Sequence, residues 1–135
     1  MAMKSIRWIP ALVLACALPL AAQGADPGSA ATRQVSTASA HAGMALGAAN
    51  LKMAHAHLQH VINCLVGPSG QAFDADAENP CKGMGEGAIV DAKGDAARES
   101  QLQAALNEAQ QGLHATTLAD AQADAQKVLS SLKGQ

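Results

Sequence analysis

Apolar residues return at helical intervals through two long tracts of the chain, with a glycine- and proline-rich stretch between them. From about Thr32 to Leu65, Met44, Leu51, Leu58 and Leu65 recur every seven residues, with Ala48, Ala54, Val61 and Ile62 beside them. A stripe of this period is one face of a helix turned towards partner helices. No proline interrupts the tract, so it reads as one helix. Gly43 and Gly47 lower its propensity, although small residues at that spacing also let helices approach closely.

The period returns at Asp95, where Leu102, Ala105, Leu106, Ala109 and Leu113 share a face. "GLHATTLAD" then reads as a corner: Gly112 suits a helix end, and Thr117 followed by Asp120 resembles a capping box. The alternative is one helix running straight through 112–117. Leu118, Ala121, Ala125, Val128, Leu129 and Leu132 form the last stripe. Strand-type alternation is not visible. The pattern predicts an all-α fold, an antiparallel three- or four-helix bundle.

Between the tracts, residues 66–87 form a long Gly/Pro loop, "GPSGQAFDADAENPCKGMGEG" after Val66, and "AIVDA" beyond it suits a short helical turn. A loop this long is uncommon in a compact domain unless it is tied down or functional. Cys64 and Cys81 flank most of it, and a disulfide between them would tie it. Two free thiolates acting as metal ligands is the competing reading.

That choice depends on compartment, and the first residues speak to it. Lys4 and Arg7 precede the apolar run "WIPALVLACALPLAA" (8–22), and "QGADPG" follows. This is the order of a secretory signal peptide, and the run is short for a membrane span. Residues 1–25 are therefore expected to be a signal peptide, and 26–135 one helical domain. Cys16 in "LVLAC" suggests a lipoprotein box, but Leu14 is large where a small residue is preferred. A periplasmic location is expected, with no membrane insertion after processing, and the remaining cysteine pair suits an oxidising compartment.

Charge and composition remove several functions. The 135 residues carry a net charge of −2, and without Lys4 and Arg7 seven basic residues face eleven acidic ones. Neither this balance nor the single aromatic of the expected mature chain, Phe73, supports nucleic-acid binding. A core built from Leu, Val, Ile, Met and Ala alone is thin, and gains from a covalent staple. No nucleophile–base–acid set stands out, so nothing argues for an enzyme. "DADAEN" begins like a calcium loop, yet Asn79 stands where Gly is needed and Gly85 where the bidentate Glu belongs. "GMGEGA" lacks the strand and Gly-Lys-Ser/Thr of a phosphate loop. No Cys-x-x-Cys-His haem attachment is present.

The histidines remain. Four of five, His41, His55, His57 and His60, lie in the first tract. On a continuous helix His41 and His55 share a heptad position, whereas His57 and His60, three apart, share another face. Met53, His57, His60 and Cys64 then form one ridge. Imidazoles at i and i+3 can share a transition metal, and Met extends the choice to monovalent copper. The metal is expected on His57 and His60, assisted by His55, Met53 or His41; from another element, His114 is the remaining histidine, and Asp74, Asp76 and Glu78 are the nearest acids. The plain alternative is that these histidines are solvated positions on an amphipathic helix.

"EAQQGLHATTLADAQADAQKVL" (108–129) and "HAGMALGAANLKMAHAHLQHV" (41–61) resemble the small periplasmic metal-binding proteins. These are alanine-rich helical bundles with repeated histidines and a Gly-x-His corner. The resemblance implies binding of copper, nickel or zinc through His41, His55, His57, His60 and His114, for metal buffering or scavenging. Gln110, Asp120 and Gln122 stand where that family carries histidines, and the cysteine-bearing loop has no counterpart there. One or two sites are therefore expected. The rival function is a structural or interaction module whose pinned loop docks a protein partner, with Phe73 as its anchor. A histidine-based acid sensor is a third.

Overall fold

The computed structural model describes residues 26–134; the expected signal peptide and the possible lipid anchor at Cys16 lie outside them. Five helices are present among these residues, and no strand. They are α1 (Pro27–Leu46), α2 (Leu51–Val66), α3 (Ala88–Asp91), α4 (Ala96–Leu113) and α5 (Leu118–Leu132). The four long ones form the expected antiparallel bundle. α1 packs on α2 and α5, and α4 packs on α2 and α5, so the chain runs up and down around a ring.

Each long helix starts on a side chain that satisfies one of its free N–H groups. Asp26 accepts from Gly28, Asn50 from Met53, Asp95 from Arg98 and Thr117 from Asp120. The corner expected at 112–117 exists, which rules out the continuous helix. Thr117 both accepts the Asp120 N–H and donates its hydroxyl to the Asp120 carboxylate.

The continuous first helix is corrected. The tract breaks at 47–50, where the Gly47 N–H donates to the Gly43 carbonyl and the Ala48 N–H to that of Ala45, closing α1, and Asn50 opens α2. Alanine neighbours conceal this corner because they suit helix and turn alike, while Asn at an N-cap is a specific signal. The break also explains why Met44 is 49% exposed although Leu58 and Leu65 are fully buried. The heptad stripe belongs to α2 and does not run through α1, whose buried face is Ala30, Ala31, Val35, Ala38, Ala42 and Ala45.

Two glycine expectations change as well. Gly43 and Gly47 are exposed, with no partner helix against them. Gly112 is buried one residue before α4 ends, and a Cβ there would meet Leu58 Cδ1 at 2.8 Å and Asp124 Cβ at 3.0 Å. It is the close-packing point of α2, α4 and α5. Along the bundle axis the core is Leu58, Val61, Ile62 and Leu65 from α2, Leu102 and Leu106 from α4, and Val128 and Leu132 from α5. Alanine fills the positions between them.

The long loop is held on several sides. Cys64 and Cys81 form the expected disulfide, with Cα atoms 5.2 Å apart. The loop ends meet backbone to backbone: Gly67 and Gly87 have φ of 68° and 119°, and a Cβ on either would strike the other's segment. Buried amides complete the attachment. Asn63 donates to the Asp74 and Glu78 carbonyls and accepts from the Asp74 N–H. Gln59 donates to Asn63 and to the Ala72 carbonyl. Gln34 accepts from Gly87 and donates to Asp91. Loop carbonyls and N–H groups that would otherwise be buried without partners are thereby satisfied.

Candidate metal centre

The α1–α2 corner folds His41 back onto α2. Because the contact faces of α1 are alanine, the helices lie close enough for side chains at the edge of their interface to meet. His57 and His60, one turn apart on α2, lie across from His41. The Nδ1 atom of His41 is 3.2 Å from Nδ1 of His57 and 3.2 Å from Nδ1 of His60. The rings stand 4.9–5.6 Å apart by centroid and are strongly inclined to one another. One ligating atom from each residue falls within 4.8 Å of the others, and all three side chains are half-buried.

Hydrogen bonding alone explains this geometry poorly. A neutral imidazole carries one N–H and one in-plane lone pair. The His41 Nδ1 is therefore suited to one good hydrogen bond, yet it faces two nitrogens at the same distance. A cation among three lone pairs satisfies both contacts together. A metal about 2.0–2.1 Å from each of three nitrogens sets them about 3.3–3.6 Å apart. The two separations from His41, 3.2 Å each, are close to that, and the His57 and His60 ligand atoms lie within 4.8 Å of one another, so the three imidazoles could hold a transition-metal ion.

Electrostatics favour the ligating form. His41 is held below its ordinary value first by burial and then by its neighbours His60 and His57. His60 is lowered by burial and by His57. The Glu78 carboxylate opposes the shift at both rings, which places its charge near the cluster. Neutral imidazole is the form that binds metals.

The sequence-based candidates separate as follows. His57 and His60 share a face as expected. The third member is His41, which the continuous-helix reading grouped with His55. His55 turns the other way: its Nε2 lies 3.0 Å from the Ala115 carbonyl, to which it donates, tying α2 to the α4–α5 corner. His114, the third ligand expected from another element, caps the C-terminal end of α4 beside Asn107, Gln110 and Gln111. Among the described residues it joins no group of three metal-ligating side chains. Met53 is 45% exposed, one turn before His57. Cys64 is bound in the disulfide, so it is not a thiolate ligand. Asp74 accepts from the Asp76 and Ala77 N–H groups in a local turn. Phe73 is half-buried in the loop beside Pro68 and Lys82.

Gln34, Gln59 and Asn63 are the residues that sequence reasoning missed. Their only signal is an amide recurring on otherwise apolar helix faces. No helix among the described residues is long and apolar enough to cross a membrane. Compared with known proteins, the chain matches no family model, no curated protein and no solved structure.

Proposed function

We propose that this is an exported metal-binding protein that holds one transition-metal ion, copper, nickel or zinc, through His41, His57 and His60, for buffering or scavenging. The observation that carries this reading is the convergence of three Nδ1 atoms with two contacts of 3.2 Å on one of them. Export is supported by the charged, apolar, small-residue order of residues 1–25 and by a cysteine pair joined as it would be in an oxidising compartment. The half-buried position suits exchange: the ion is partly shielded, and solvent reaches the remaining coordination positions.

Calorimetric titration of the chain from residue 26 with copper(II), nickel(II) and zinc(II) tests the reading. One ion per chain is expected, lost in the His57→Ala, His60→Ala double variant and retained in His55→Ala and His114→Ala. Heat no greater than that of the double variant would overturn it. Export is checked by fractionation, where recovery of the intact chain from the cytoplasm with free Cys64 and Cys81 thiols would contradict it.

A further inference from the structure

The exposed large apolar side chains among the described residues are Met44, Met53 and Val90. Two of these are methionines, and the antiparallel register places both at the corner end of the α1–α2 hairpin. His41 lies opposite His57. Three residues further along α1 is Met44, and four residues back along α2 is Met53, so both stand one turn from the histidines on the side nearest the corner. Met44 is 49% and Met53 45% exposed, which leaves both thioethers open to solvent and free to turn. Exposed leucine would serve solubility no worse, so packing does not account for methionine at both places.

Sulfur changes which ion the site prefers. Thioethers are soft ligands that take monovalent copper and add little for zinc or nickel, whereas imidazole serves all of them. A flexible unbranched side chain of this length spans one helical turn. We propose that the physiological ion is copper, and that Met44 and Met53 together with His57 take it in the monovalent state at the corner end of the histidine cluster. This rests on the metal-binding reading above and narrows it to one element and one oxidation state. Met84 is the contrast. It lies on the other side, where its sulfur accepts from the Thr37 hydroxyl at 3.6 Å, one turn before His41, and it is already engaged there.

The test is competition for copper(I) against bicinchoninate under anaerobic conditions, with ascorbate as reductant, beside calorimetric titration with zinc(II). The proteins are the wild type, the Met44→Leu, Met53→Leu double variant, and Met84→Leu. Leucine conserves volume at exposed positions, and matching melting curves confirm folding. The double variant is expected to lose copper(I) affinity by about 10- to 100-fold, with zinc(II) binding unchanged and Met84→Leu like the wild type in both. Copper(I) affinity in the double variant equal to the wild type would overturn the thioether assignment while zinc(II) binding still upheld the histidine site. A wild type that binds neither ion would overturn both.

Discussion

The bundle consists of two helical hairpins of similar size, and they differ in what they bury. In α4–α5 the interior is Leu102, Ala105, Leu106, Ala109, Gly112, Ala121, Ala125, Val128 and Leu132, with no polar side chain among them. In α1–α2 three amides, Gln34, Gln59 and Asn63, are buried together with half of the disulfide, and three imidazoles meet at the edge. Both hairpins turn on a capped corner of four residues and both use alanine to close the interface. The difference teaches that packing alone needs only the first kind of hairpin. The second carries polar groups whose burial is costly unless each is paired, and they hold the loop.

Removing the disulfide should break this contrast most strongly. Cys64→Ser with Cys81→Ser releases a loop closed across a separation of 17 residues. The loss expected is about 3 kcal/mol in denaturant unfolding. A loss under about 1 kcal/mol would mean that the buried amides and the Gly67–Gly87 closure hold the loop without it.

A perturbation of the scaffold hairpin comes next. Gly112→Val forces a side chain against Leu58 and Asp124, and about 1–3 kcal/mol of destabilisation is expected from overpacking. Metal stoichiometry should be unchanged, because Leu58 points into the core whereas its neighbours His57 and His60 turn towards His41 at the edge of α1 and α2. If this variant abolished binding while remaining folded, the division of labour between hairpins would be wrong.

The smallest effect is on pH dependence. His41 and His60 titrate below 6.5 in the folded protein, so between that lowered value and 6.5 the unfolded chain binds more protons. Their contribution is complete above pH 6.5, declines as pH falls below it, and levels off once the folded rings are protonated too. The metal-free protein should melt slightly lower at pH 5 than at pH 7.5. His41→Ala should narrow that gap, since it removes one of the mutually repelling rings. An equal gap in both proteins would place the pH dependence elsewhere.

Much of this organisation is legible in the residues. The stripes of α2, α4 and α5, the Thr117 corner, the short helix after the loop and the cysteine pairing follow from period, capping chemistry and the expectation of an even cysteine pair in an exported chain. The His57–His60 face follows from their spacing alone. The partner across from them does not, because it depends on one corner. "GAAN" contains neither proline nor a charged residue, and two alanines conceal a break that only Gly47 and Asn50 announce. Reading through it groups His41 with His55 and leaves it one assisting candidate among several, beside His55, Met53, His114 and the loop acids. The buried amides were hidden for another reason: Gln34 and Asn63 matter through the loop they bind, and no local pattern reveals a partner 11 to 57 residues away.

The central claim is that His41, His57 and His60 act as one ligand set. X-ray absorption at the zinc edge of protein loaded with one equivalent of zinc(II) tests it most directly. Three imidazole nitrogens at about 2.0–2.1 Å are expected, falling to two in His41→Ala. A spectrum with one imidazole or none, or one that His41→Ala leaves unaltered, would contradict the account.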